Sequence, residues 1–157
     1  MRKFFLVLVG AAVLSTALAA TAGAGLTTVL PGFRSPSGNI KCLFVPGGGG
    51  SRSSSRLLCS IAQSGYAKKL QNRCLGPTGA GVDWHGFDLN PVGKGRITCT
   101  GGILYSPATQ HPRYVTLPYG KSWRQGVFTC TSRVTGVTCG NRTGHGLFIS
   151  RASWRAW

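Results

Sequence analysis

Both carboxylates of the chain fall within one hexapeptide, Asp83-Trp84-His85-Gly86-Phe87-Asp88, with an imidazole between them. General acid and base work by a carboxylate pair needs two acids in one cleft with separated pKa values. On an extended strand Asp83 and His85 share a face and Asp88 points to the other. The pattern therefore suits two acids that each pair with an arginine or cap a turn better than it suits a catalytic or metal-binding cluster. Phosphodiester cleavage without carboxylates is the other chemistry open to these residues, with two imidazoles as base and acid and a cation at the phosphorane. His85, His111 and His145, with twelve arginines and six lysines, supply its parts. His145 stands between Gly144 and Gly146, where small neighbours leave the ring accessible or let the backbone turn sharply. A histidine fixing the 143–146 turn through a backbone hydrogen bond is the plainer reading. No G-x-S-x-G elbow, H-E-x-x-H pair or phosphate loop is present, so no residue is assigned a catalytic role and no cofactor or metal is expected.

Cysteines are the next reactive group. Cys42, Cys59, Cys74, Cys99, Cys130 and Cys139 form an even set, without the C-x-x-C or H-x(3–5)-H spacings of zinc sites. In an oxidising compartment such a set reads as three disulfides. Val127 to Thr131 and Gly136 to Cys139 flank a turn over 132–135, which sets Cys130 opposite Cys139 across a hairpin. Residues 40–45 and 57–61 place Cys42 opposite Cys59 in the same way, with the flexible glycine and serine tract 47–55 between them. Opposed residues in a non-hydrogen-bonded pair lie about 4.5 Å apart at Cα, at the short end of disulfide range. Cys74 and Cys99 are then left for each other.

These cysteines must be held by strands. Runs of β-branched and aromatic residues at 40–45, 57–61, 96–100, 113–117, 127–131, 137–139 and 147–150 are separated by Gly, Pro, Ser and Asn, the pattern of an all-β domain. The expected fold is a small, disulfide-stapled antiparallel sandwich or barrel. It holds one short helix over 64–72, marked by Tyr66 and Leu70 at i, i+4. Trp154 and Trp157 at i, i+3, with Arg151 and Arg155 at i, i+4, predict a closing helical turn at the C-terminus.

At the other end, Arg2 and Lys3 precede an apolar run from Phe4 to Leu14 and small-residue cleavage sites near Ala22 and Ala24. This is the pattern of a secretory signal peptide, residues 1–24, leaving a single exported domain over 25–157 with no transmembrane segment. The length of 157 residues suits one domain, and 42% apolar against 13% charged residues is too hydrophobic for a disordered chain. The whole chain carries +16 from 18 basic and 2 acidic residues; removing Arg2 and Lys3 leaves +14. At most two of the remaining cations can pair with internal side-chain carboxylates, and arginine predominates, which favours bidentate contacts to phosphate or carboxylate. The partners this implies are anionic cell-envelope polymers and phospholipid headgroups, with nucleic acid bound only non-specifically. No run of five like charges exists, so folding must assemble the footprint. Arg113, Arg124, Arg142, His145, Arg151 and Arg155 are the positions expected to contribute. Trp123-Arg124, Arg113-Tyr114 and Trp154-Arg155 suit stacking on bases or sugars, and suit still better a sheet core with arginines reaching outward.

Three segments carry a resemblance. Phe33-x-Ser35-Pro36-Ser37-Gly38-Asn39-Ile40-x-Cys42, Leu117-Pro118-Tyr119-Gly120 and Gly136-Val137-Thr138-Cys139-x-Asn141-x-Thr143-Gly144-His145-Gly146-x-Phe148-x-Ser150-Arg151 together resemble a bacterial, mostly actinobacterial, family of secreted proteins classed only as a domain of unknown function. The resemblance covers nearly the whole exported part. It implies secretion and the cysteine framework, and brings no activity, substrate or cofactor. In that family the residue after the second cysteine is commonly acidic and Gly-Asp tends to follow the fourth. Here these read Ser60 and Gly101-Gly102, which makes the chain an unusually basic member. The reading is a secreted, basic, non-enzymatic binding or structural module. The alternative is a small secreted histidine-dependent nuclease or hydrolase.

Overall fold

The computed structural model describes residues 27–47 and 55–157; the signal segment expected over 1–24 and most of the glycine and serine tract lie outside them. Strands β1 (Thr28–Arg34), β2 (Ile40–Val45), β3 (Arg56–Ile61), β4 (Trp84–Leu89), β5 (Arg96–Cys99) and β6 (Gln110–Thr116) form one sheet in the order β5-β4-β3-β2-β1-β6. Strands β7 (Ser122–Gln125), β8 (Phe128–Arg133), β9 (Gly136–Gly140), β10 (Gly146–Ile149) and β11 (Trp154–Ala156) form a second, in the order β11-β10-β9-β8-β7. Each sheet keeps two free edges, so the fold is a sandwich and not a barrel. Helix α1 (Ala67–Leu75) joins β3 to β4 and starts three residues later than the apolar pair suggests.

The all-β, disulfide-stapled reading holds, with two corrections. The pairing is antiparallel throughout except that β6 runs parallel to β1 along the register Thr28↔Gln110 to Arg34↔Thr116. The chain leaves β5 at one edge and re-enters at the other as β6, and such a crossing can deliver a parallel strand where a hairpin cannot. The expected C-terminal helical turn is instead strand β11. Trp154 and Ala156 pack inward and Arg155 points out, a period of two, and pairing to β10 through Ile149↔Trp154 and Leu147↔Ala156 satisfies a backbone that a lone helical turn would leave open.

The core lies between the sheets. Phe33, Leu57, Phe87 and Leu89 meet Phe128, Val137, Leu147 and Ile149, all buried. Two disulfides, Cys42–Cys59 and Cys130–Cys139, bridge directly opposed residues within each sheet, with Cα separations of 4.1 and 4.0 Å. They stack across the interface, where the sulfurs of Cys42, Cys59 and Cys139 lie within 4.8 Å of one another. Each of these sulfurs is held in a disulfide, Cys42 with Cys59 and Cys139 with Cys130, and offers no thiolate to a metal. Cys74–Cys99 ties α1 to β5 at the periphery.

The far face of the six-stranded sheet is also closed. Leu30, Leu43, Val45 and Leu58 form a second cluster under Leu104, Tyr105 and Tyr114, and Arg56 donates to the Leu104 carbonyl at 2.7 Å, holding the crossing segment down. The far face of the five-stranded sheet has no such cover among the described residues.

Tyr66, just before α1, donates its hydroxyl to the Ser150 carbonyl at 2.9 Å, and burial pushes its phenol up to about 12. Tyr114 is raised by burial as well. A phenol with a raised folded pKa is held protonated by the fold. Its contribution is complete below pH 10, where the unfolded phenol begins to ionise, and is lost as pH climbs through the folded value. Melting temperature should therefore fall between about pH 10 and pH 12. Tyr66→Phe should start from a lower plateau, having lost one hydrogen bond, and show a shallower alkaline decline; an identical decline would show that Tyr66 is not its source.

Candidate functional site

Four connections meet at one end of the sandwich: the 35–39 turn between β1 and β2, the 117–121 segment between β6 and β7, the β8–β9 hairpin tip, and the 150–153 turn between β10 and β11. They enclose a pocket of about 290 Å³ lined by Ser35, Ser37, Asn39, Tyr119, Arg133, Val134, Thr135, Gly136, Ser150 and Arg151, with Ile40 and Val137 at its floor and Ala152 beside them.

Local hydrogen bonds fix each wall. The buried Ser35 hydroxyl accepts from the Ile40 amide at 3.1 Å and lies 3.1 Å from the Ser37 hydroxyl, while the Gly38 amide bonds back to the Ser35 carbonyl. Gly38 closes this turn at φ +71°, a conformation that other residues adopt only with strain. Asn39 clasps Gln63 from both sides: its amide nitrogen donates to the Gln63 carbonyl at 3.1 Å, and its carbonyl oxygen accepts from the Gln63 amide at 2.8 Å. Gln63 in turn accepts from the Arg151 guanidinium at 3.3 Å, and Gly65 donates to the Arg151 carbonyl at 2.9 Å. Arg151 is thus positioned by neutral groups. Ser150 caps its own turn, accepting from the Ser153 amide and donating to the Ser153 carbonyl, both at 3.0 Å.

The electrostatics follow from what is missing around these cations. The Arg133 guanidinium, at the end of β8, has no hydrogen-bond or ion-pair partner among the described residues, and the Tyr119 hydroxyl has none either. Neither carboxylate lines the pocket. Asp88 is held by Arg96 at 2.8 Å on the neighbouring strand β5, and Asp83 accepts from Gln71 at 2.9 Å. Two guanidinium groups with no carboxylate in the lining, beside serine, tyrosine and asparagine side chains, present hydrogen-bond donors of the kind that match phosphate or carboxylate oxygens. No imidazole or carboxylate stands there to take a proton.

The expected site residues scatter. Arg151 lines the pocket. Arg113 is exposed on the edge strand β6, and Arg124 is exposed on β7 at the edge of the other sheet. Arg142 and His145 lie in the β9–β10 turn, where the Asn141 side chain donates to the carbonyls of Asn90 and Gly93 at 2.9 and 2.7 Å and accepts from Thr143. His145 fixes this turn through its ring, Nδ1 lying 3.0 Å from the Thr143 hydroxyl, and not through the expected backbone bond alone. Arg155 projects from β11. His85 and His111 belong to β4 and β6, four strand spacings apart in one sheet, hence at least about 19 Å across the strands alone, while His145 lies in the β9–β10 turn of the other sheet. Trp123 and Trp154 pack into the core while Arg124 and Arg155 turn outward, and Tyr114 packs beneath Lys41.

Arg133, Tyr119, Ser37 and Asn39 were not singled out by charge or spacing. The signal that finds Tyr119, Ser37 and Asn39 is the resemblance, each of whose three segments sends residues into this pocket, Ser35, Ser37 and Asn39 from the first, Tyr119 from the second, Gly136, Ser150 and Arg151 from the third; Arg133 lies outside all three. In comparisons with known proteins, a family of unknown function (DUF6636) matches residues 11–155. No curated protein and no solved structure matches the chain.

Proposed function

The chain belongs to the DUF6636 family, which brings no activity with it, and we propose from the site itself that it is a secreted, basic, non-enzymatic binding module. Its pocket seats the phosphate or carboxylate of an anionic envelope polymer or a phospholipid headgroup. The observation that carries this reading is the pair Arg133 and Arg151 facing a pocket with no acid in its lining. Three disulfides suit an oxidising compartment, and among the described residues no helix is long and apolar enough to cross a membrane. Nucleic acid would engage the same groups through its phosphates, without sequence readout. Histidine-dependent hydrolysis is supported less well, because the three imidazoles stand on separate elements outside the pocket.

Binding is measured by calorimetry with three probes: inorganic polyphosphate, polygalacturonate, and phosphatidylglycerol vesicles against phosphatidylcholine vesicles. Affinity for the anionic probes should fall steeply between about 50 and 200 mM salt. A hydrogen bond to a charged group is worth roughly 1.5–3 kcal/mol, so Arg133→Ala/Arg151→Ala should weaken binding of the preferred probe at least tenfold at fixed salt. Salt-independent binding, or a double variant that binds as well as the parent, would sink the proposal. Which probe binds best identifies the source of the anion, and cleavage of RNA between pH 5 and 8 would favour the hydrolase.

A further inference from the structure

The uncovered face of the five-stranded sheet has a chemistry of its own. Strand registers align Arg155, Phe148, Thr138, Thr131 and Ser122 as direct neighbours in one row across all five strands. The row beside it runs Gly146, Gly140, Thr129 and Arg124. Inward positions on these strands fill the core, so both rows face outward.

Three properties separate this face from an ordinary solvated sheet surface. First, it carries hydroxyls on three successive strands and arginines at both edges, and neither acid of the chain lies on this sheet. Second, Arg155 is held by ring faces and not by a carboxylate, with its guanidinium 5.5 Å from the Phe148 centroid and 5.7 Å from that of Trp157. No side-chain carboxylate pairs with it among the described residues. Third, Trp157 remains 41% exposed although it is fixed, its indole N–H donating to the Gly144 carbonyl at 3.1 Å. Its ring lies over Gly146, where any Cβ would collide with it. With Gly140 next to Gly146, the second row is a shallow trough between Trp157 and Arg124.

We infer that this face is a binding platform for a linear anionic polysaccharide. The two edge arginines are four strand intervals apart, about 19 Å. One interval is close to the length of a pyranose residue in an extended chain, so the Thr138 hydroxyl and the Thr131–Ser122 pair, joined by a hydrogen bond of 2.9 Å, can meet neighbouring sugars along the row. Amphipathic sugar faces suit an exposed, rigid indole, and carboxylates on the chain suit Arg155 and Arg124. Arg133 shares the outward set of β8 with Thr129 and Thr131, so the platform borders the pocket at that residue, whereas Arg155, Thr138, Arg124 and Trp157 do not line the pocket.

The test compares polygalacturonate with polyphosphate of matched charge and with neutral dextran, by calorimetry on the full exported domain. Thr131→Val/Thr138→Val removes two hydroxyls while keeping β-branched residues that favour a strand, and Trp157→Ala removes the ring. Each should weaken polygalacturonate at least fivefold and leave polyphosphate within twofold, and Arg151→Ala, which alters the pocket away from this face, should leave the face-dependent loss intact. Native near-ultraviolet circular dichroism of the hydroxyl variant confirms its fold. Polygalacturonate bound no better than polyphosphate, or bound equally by the face variants, overturns the inference. So does sedimentation showing that the face joins two copies of the chain.

Discussion

Replacing Cys42 and Cys59 together by alanine should destabilise the domain by about 2–5 kcal/mol, the range for losing a native disulfide from a small secreted domain. The effect should exceed that of Cys74→Ala/Cys99→Ala. Chain entropy alone predicts the opposite order, because the pairs close separations of 17 and 25 residues, but the logarithmic dependence makes that difference only about 0.3 kcal/mol. Packing decides instead. Cys42 and Cys59 are fully buried and their sulfurs lie against Cys139 from the opposite sheet, so their removal opens a void where the sheets meet, whereas Cys99 is exposed at an edge. Urea midpoints of the two double variants measure the ranking. A larger loss from the peripheral pair would mean that tethering α1 matters more than filling the interface.

Phe87→Ala should cost about 3–5 kcal/mol, as for large aromatic truncations in cores. Phe87 is 1% exposed, and its ring meets Trp154 at 5.0 Å, Trp84 at 5.6 Å and Tyr66 at 6.4 Å between centroids. These partners come from β11, from β4 itself and from the entry to α1, so one ring joins both sheets and the helix. Thermal unfolding gives the magnitude, and loss of near-ultraviolet circular dichroism would report the neighbouring tryptophans. A change below 1 kcal/mol would mean that the surrounding rings collapse into the space.

Legibility followed local chemistry. The disulfides between opposed strands could be read because a hairpin puts its cysteines face to face by geometry contained in a short stretch of chain, with separations of 9 and 17 residues. Strand β1 could not. Pro31 and Gly32 break its β pattern, yet β1 lies inside the sheet. Pairing with β2 begins only at Gly32, so the missing amide of Pro31 falls where β1 has β6 alone as neighbour. Gly32 is required because a Cβ there would press on the Cys42 carbonyl and the Tyr114 ring. Strand β6 begins before Pro112, which an edge strand tolerates. At the C-terminus, Trp-Arg-Ala-Trp fits both a helical and an alternating pattern, and only the free edge of β10 decides between them. The pocket was hidden for a related reason. Its cations come from the end of β8 and from the turn after β10, so no short window of sequence holds both.

The two sheets also assemble on different schedules. The five-stranded sheet is a meander of adjacent hairpins, each able to close as soon as its second strand exists. The six-stranded sheet completes only when β6 reaches β1, 82 residues upstream, a non-local closure that slows folding. As the chain is made from its N-terminus, Phe33, Leu57 and Phe87 line a sheet whose covering partner, residues 122–156, is still to come. For that interval the future interior is an exposed apolar surface, and a newly made molecule should depend on a holding chaperone in a way that the finished one does not.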